Sequence, residues 1–356
     1  MQVFTVIICF LLVSLTTDQA FSRQRALTPA EKTHLKNAQN ISLETVALTE
    51  KGLVDPQEIQ HVVTNRFQEI GYTIIKDEEI SHDVVVKVKC EERKTRTGPS
   101  TYGGDADSLH SPLPGWTGPA CQITYGLNGE QFDWRIEVRT DFKDAMEAAK
   151  KKEKKNSGEY ALTELSIKLK HDDFPLLLTA EWEQADRLIN LMQRTEIDQS
   201  LKLKIIPLLG SNSDPSVLPT LTQALNDPVL APQAAIALGQ QGEQAEATLV
   251  GLLQTAETPE LKIAAVKGLG EIATHSAQTR VYTPLVHSLQ KPDTEIPVKT
   301  EIVRALGKLG DQEAVPVLEK LNHEAWTDPS SSQEMQELRE ALTWSLWQLN
   351  PDAHTG

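Results

Sequence analysis

Leu261-Lys262-Ile263-Ala264-Ala265-Val266-Lys267-Gly268-Leu269-Gly270 and Val298-Lys299-Thr300-Glu301-Ile302-Val303-Arg304-Ala305-Leu306-Gly307 decide the fold of this chain. They are two versions of one pattern: apolar, basic, two variable residues, Ala or another apolar residue, two more variable residues, a small residue, Leu, Gly. The pattern recurs at Leu201–Gly210 and Leu230–Gly239, so that its glycines lie 29, 31 and 37 residues apart. A second apolar helix reads between successive glycines, marked by Pro219, Leu221 and Leu225, then by Val250, Leu252 and Leu253. Pro284, Val286 and Leu289 mark the next, and Pro316, Leu318 and Leu321 the last. Each unit is then a helix pair whose apolar face stays uncovered until a neighbour stacks on it, and stacking makes one continuous core.

A fifth copy, Leu338 to Trp347, keeps the apolar positions but puts Trp where glycine stood. A large residue is tolerated where no further helix must approach closely, so this copy is expected to cap the stack. The signature, best seen at Leu261–Gly270 and Val298–Gly307, resembles the HEAT-repeat superfamily, in particular the short bacterial repeats of phycobilisome lyases. The resemblance covers residues of about 196–350. It implies an all-α solenoid that binds other proteins. It does not extend to bilin attachment, because the repeats hold no cysteine.

Eight residues before the glycine position stand Lys202, Ala231, Lys262, Lys299 and Arg339, and Lys267 and Arg304 lie three before it. In-phase residues of a solenoid form a stripe. Two readings stay open. The row is either a structural ladder between neighbouring repeats or a surface facing a partner. Under the second reading Lys262, Lys267, Lys299 and Arg304 are the candidate binding residues, with Lys267 and Arg304 the better placed.

Residues 23–195 read as an α+β domain: an antiparallel sheet with helices on one side. Thr28-Pro29-Ala30-Glu31 and Asp55-Pro56-Gln57-Glu58 are helix starts, each with a capping side chain, Pro at the first helical position and Glu shortly after. The second helix carries Ile59, Val62, Val63, Phe67 and Ile70 on one stripe and stops at Gly71. Strands are expected at 42–48 and 72–75. Val84, Val86, Val88 and Cys90 alternate on one face, as do Cys121, Ile123 and Tyr125, then Phe132, Trp134, Ile136 and Val138, with a hairpin turn at Asn128-Gly129. Helices follow at roughly 143–155, 158–171 and 180–194. The element order of residues 40–140 is similar to small α/β modules of periplasmic envelope proteins, such as the N-terminal domain of the Tol-system propeller protein.

Cys90 ends one strand and Cys121 begins the next. A disulfide between them would pinch the base of a long loop, 91–120; two buried free thiols are the alternative. Loops of this length are usually functional or disordered. Trp116 within it is either a contact residue or packed back on the sheet. Asp105 and Asp107 lack the further oxygen ligands of a calcium loop. The basic run Lys150–Lys155 is read as a solvated helix end, with an acidic docking partner as the alternative.

Val3 to Leu15 is almost unbroken apolar, and Ala20 and Ser22 put small residues three and one before a cut at Arg23. Residues 1–22 therefore read as a secretory signal peptide, or alternatively as an uncleaved membrane anchor. Export fits a cysteine pair in the remaining chain. Net charge is −15, and residues 196–356 carry 11 Lys and Arg against 21 Asp and Glu. That balance disfavours nonspecific binding to nucleic acid or anionic membrane. Residues 351–356 form a polar tail.

Catalysis needs convergent groups. The nine histidines are scattered, and no metal, nucleophile-elbow or phosphate-loop motif is present. His171-Asp172-Asp173 reads as a polar helix stop rather than a metal site. The expectation is an exported adaptor or scaffold of a bacterial cell envelope, not an enzyme, with no cofactor and with other envelope proteins as partners. The alternatives are an envelope hydrolase, or a binder of a small acidic ligand, using loop 91–120 or the solenoid groove.

Overall fold

The structure, a computed structural model, describes residues 27–76, 81–92, 94–97, 114–140, 150, 157–275 and 280–350. The apolar leader 1–22, the helix expected at 143–155 with its basic run, and the tail 351–356 lie outside these residues, Lys150 excepted.

The first helix, α1 (Pro29–Asn37), starts as its sequence requires. The Thr28 hydroxyl accepts from the Glu31 backbone N–H, and the Glu31 carboxylate accepts from the Thr28 backbone N–H at 2.8 Å. Strands β1 (Asn40–Thr49) and β2 (Gly52–Val54) follow, then α2 (Gln57–Ile70). Helix α2 closes on Gly71, whose φ of +98° only glycine adopts without strain. Then come β3 (Thr73–Ile75), β4 (Val84–Glu91), β5 (Lys94–Thr97), β6 (Pro114–Thr117), β7 (Ala120–Leu127) and β8 (Glu130–Arg139).

The main sheet runs β2-β1-β4-β7-β8, and β3 lies along the same edge of β1 as β2. From β4 to β8 the pairing is antiparallel, as the alternating pattern suggests. The antiparallel expectation needs correcting at β1, which pairs parallel with both β3 and β4, so the sheet is mixed. Period-two alternation reports which face a residue occupies but not the direction of the neighbouring strand. The direction follows from the α2 crossover, which returns the chain to the same end of the sheet.

Val84, Val86, Val88 and Cys90 are buried while Lys87 and Lys89 stay in solvent. On the wet face Lys87 pairs with Glu44 of β1 at 3.0 Å, directly across the strands. The inner face is covered by α2 and by α3 (Ser157–His171). Helices α4 (Phe174–Glu181) and α5 (Ala185–Gln193) complete the layer. A chain of edge-on ring contacts unites these elements: Phe174 against Phe67, Phe67 against Tyr72, Tyr72 against Trp182, and Trp182 against Tyr125, all with centroids 5.4–5.8 Å apart.

The long loop is shorter than the sequence suggests. β5 and β6 pair antiparallel at its base, with Thr95 opposite Trp116. Residues 98–113, including Asp105 and Asp107, lie outside the described part. Cys90 and Cys121 are direct partners across β4 and β7, with Cα atoms 3.9 Å apart, and are joined by a disulfide.

Five residues, 194–198, join α5 to the helix array. Asp198 caps α6 (Gln199–Gly210), its carboxylate accepting from Leu201 N–H at 2.7 Å. The pairs continue as α7 (Val217–Ala224), α8 (Ala231–Gly239), α9 (Glu246–Thr255), α10 (Pro259–His275), α11 (Tyr282–Gln290), α12 (Ile296–Leu309), α13 (Val315–Thr327) and α14 (Gln333–Leu349). Helices α6, α8, α10, α12 and α14 carry the repeated pattern and pack successively in one layer; α7, α9, α11 and α13 form the other.

The sequence pattern has a direct packing reason. A Cβ on Gly210 would stand 2.9 Å from Ala237 Cβ, and one on Gly307 would stand 2.8 Å from Ser345 Cβ. Gly239 meets Gly268 in the same way, and Gly270 faces Ala305. The glycine of each copy therefore touches the small residue two before the glycine position of the next. This contact explains the recurring small-Leu-Gly ending.

Among the described residues two ion pairs tie the module to the array. Lys204 of α6 meets Asp173 at 2.9 Å, and Lys36 of α1 meets Asp214, between α6 and α7, at 2.8 Å. Among the described residues no helix is long and apolar enough to cross a membrane.

Candidate functional site

The basic row divides once its neighbours are known. Lys262 reaches forward to Glu295, at 3.2 and 3.3 Å to its two carboxylate oxygens, and so joins α10 to the start of α12. The Glu295 carboxyl is held below the usual range by its own backbone N–H and by the Lys262 ammonium. Arg339 donates to the carbonyls of Ala325, Asp328 and Ser330 and fixes the turn between α13 and α14. These two residues are rungs of a structural ladder. Lys299 is half-buried and lines a shallow groove of about 520 Å³ with Lys291, Lys320 and Glu324.

The second row stands differently. Lys267 is exposed and has no carboxylate in ion-pair reach among the described residues. Among the described residues Arg304 is held by Glu301 alone, on its own helix, at 3.4 Å. Lys308 sits one turn beyond Arg304 and reaches Glu271 at 3.7 Å. The residue in phase with Lys267 and Arg304 in the last copy is Trp344, which lines a small hollow with Arg304, Lys308 and Glu340. Two cations and an indole thus follow one another along the open side of α10, α12 and α14.

Trp344 also borders a larger groove of about 820 Å³ between α13 and α14. Its other walls include Trp326, Arg339, Glu340 and Trp347. Trp326, Trp344 and Trp347 are 62%, 42% and 51% exposed, a high exposure for side chains as large and apolar as indoles. The Arg339 guanidinium lies 5.4 Å from the centre of the Trp326 ring. Sequence reading passes over Trp326 and Trp344, although Trp344 holds the same repeat position as Lys267 and Arg304. The side chain of Trp116 lies outside the described residues.

A polar cleft of about 690 Å³ lies where α2 overhangs β1 and β3, with Glu44, His61, Lys76 and His82 on its walls. His61 is engaged by Asn65 at 3.2 Å. Among the described residues no three His, Cys, Asp or Glu side chains are grouped to hold a metal. The Asp172 carboxyl is raised by burial and accepts from Phe174 N–H, so it closes α3 and opens α4.

Comparison with known proteins agrees with the helix geometry. Residues 246–347 match the family of HEAT repeats. No curated protein sequence matches the chain. Among solved structures, human deoxyhypusine hydroxylase in complex with glycerol is similar at 18% identity, covering 54% of this chain and 85% of that one, with a TM-score of 0.22.

Proposed function

From the HEAT repeats as premise, we propose that this protein is an exported interaction scaffold of a bacterial cell envelope and not an enzyme. The observation that carries the reading is the row Lys267, Arg304 and Trp344 on the open side of the array. Arginine and tryptophan are the residues most enriched at the energetic centres of protein interfaces. Lys267, unpaired among the described residues, favours a partner that brings carboxylates to this row. Nucleic acid is disfavoured by the net charge of −15. Export is supported by the apolar leader and by the cysteine pair, since disulfides persist mainly in oxidising compartments. The sheet domain, packed against the first repeat helix, offers a second surface for a partner.

The test is affinity capture from envelope extract under mild crosslinking, with Lys267→Glu/Arg304→Glu as the matched control. A partner identified with the wild type, lost with the variant and accompanied by an unchanged melting curve supports the reading. Recovery of the same partner by both proteins, or of none by either, counts against it. N-terminal sequencing of the exported chain is expected to begin at Arg23. Retention of the leader in the cytoplasm would remove the envelope part of the proposal.

A further inference from the structure

We infer that the hollow over Gly71, where α1, α2 and α5 meet, binds a phosphate-type oxyanion between the guanidinium groups of Arg187 and Arg194. The two arginines stand seven residues apart, one in the first turn of α5 and one just past its end, so both lie on one side of that helix. They turn toward the same spot on α2. Gly71 closes α2 at a φ of +98°, and a Cβ there would stand 3.2 Å from Arg187 Nη1 and 3.8 Å from Arg194 Nη2. The two nitrogens are therefore within about 7 Å of one another, close enough for like charges to repel appreciably at a protein surface.

Neutral oxygens hold both side chains in place. Arg187 donates to the Gln184 side chain at 2.7 Å and to the Ala38 carbonyl at 3.4 Å, and its guanidinium lies over the Tyr72 ring, 3.9 Å from the centroid. Arg194 donates to the Glu69 carbonyl at 2.8 Å. These partners carry partial charges only. Among the described residues neither arginine has a carboxylate in ion-pair reach, because the acidic groups nearby are engaged elsewhere: Glu69 by Arg66, Glu183 by Lys32 and Asp214 by Lys36. Burial holds the half-buried Arg187 guanidinium below the ordinary arginine range. A charge withdrawn from water without a counter-ion is costly, and an anion in the hollow removes that cost.

Size and charge narrow the ligand. The hollow has a volume of about 360 Å³, room for a phosphate group with a small substituent. Its walls carry Lys36, Arg187 and Arg194 against one carboxylate among the described residues, Asp186, although the whole chain carries −15. Asp186 is exposed, and its charge bears on the Lys36 ammonium. Two guanidinium groups that reach one spot from separate positions suit a tetrahedral oxyanion, whose oxygens point several ways. A lone carboxylate is already satisfied by the fork of a single arginine.

Isothermal titration of the purified full chain with inorganic phosphate, at constant ionic strength made up with chloride, tests this inference. One saturable site per chain is expected, with a melting temperature that rises as the site fills. Sulfate, of the same shape, should compete, and acetate should bind more weakly. Arg194→Gln should weaken phosphate binding about tenfold or more. Asn190→Glu is the second variant, at an exposed position on the rim. It brings a carboxylate to the hollow and should weaken phosphate binding while the phosphate-free protein melts like the wild type. Tighter binding of glycerol phosphate than of the free anion would identify the ligand as a phosphate ester; equal or weaker binding would identify the free ion. Lys267→Glu/Arg304→Glu should bind phosphate as the wild type does, so failure of the functional proposal and failure of this one are separable. An absence of saturable binding beyond the effect of ionic strength overturns the inference. So does phosphate binding that is unchanged in both Arg194→Gln and Asn190→Glu.

Discussion

Gly239 and Gly268 touch backbone to backbone: a Cβ on Gly239 would stand 2.4 Å from the carbonyl oxygen of Gly268. No side-chain motion relieves such an overlap, so Gly239→Ala must push α8 and α10 apart. The expected cost is about 2–4 kcal/mol, read as a lower urea midpoint. Gly251 in α9 is the control, since a Cβ there meets nothing within 4 Å. Gly251→Ala should stabilise by about 0.5–1 kcal/mol through helix propensity alone.

The Cys90–Cys121 disulfide spans a sequence separation of 31. Loop-closure entropy then predicts that reduction costs about 3–4 kcal/mol. Thermal melts with and without reductant check this. The double variant Cys90→Ala/Cys121→Ala should melt with the reduced protein and show no response to reductant.

Lys36 and Asp214 join α1 to the array. The Lys36 ammonium, the Ser216 hydroxyl and the Ser216 backbone N–H hold the Asp214 carboxyl down at about 2. A carboxylate depressed in the folded state contributes stability above its unfolded value near 3.9, and that contribution disappears as pH falls toward 2. The Lys36 ammonium is itself raised by the same hydrogen bond, so its share is present below the ordinary lysine value of 10.5 and fades at higher pH. Lys36→Met should move the Asp214 titration, followed by carboxyl NMR, toward the unfolded value. Its stability deficit should be present at neutral pH and vanish below about pH 2.

Lys262 and Lys267 separate ladder from surface. Lys262→Met removes a half-exposed pair with Glu295 and should cost about 0.5–1 kcal/mol in the urea midpoint. Lys267→Met should change stability by less than about 0.5 kcal/mol, because the side chain is exposed and, among the described residues, unpaired. Equal losses at both positions would make Lys267 a structural residue as well.

Local and periodic signals were legible in the linear chain. The glycine period, the second helices between glycines, the Thr28 cap, the Gly71 stop and the alternation in β4, β7 and β8 all depend on residues within a few positions of one another. These patterns reach the structure unchanged because hydrophobic period and turn chemistry act over one helical turn or one pleat. The cysteine pair was legible for a similar reason, since each cysteine sits in a strand whose pairing the pattern implies.

What the tertiary structure decided are the choices of partner between distant segments. The parallel pairing of β1 with β4 depends on where α2 returns the chain. The division of the basic row depends on Glu295 lying 33 residues from Lys262, and on the carbonyls that Arg339 reaches. The tryptophan groove arises because Trp326, from a different helix, arrives beside Trp344 and Trp347. A repeat in sequence states which positions are equivalent; only packing states what each of them meets, since a side chain's neighbours are set by the fold as a whole and not by its place in the period.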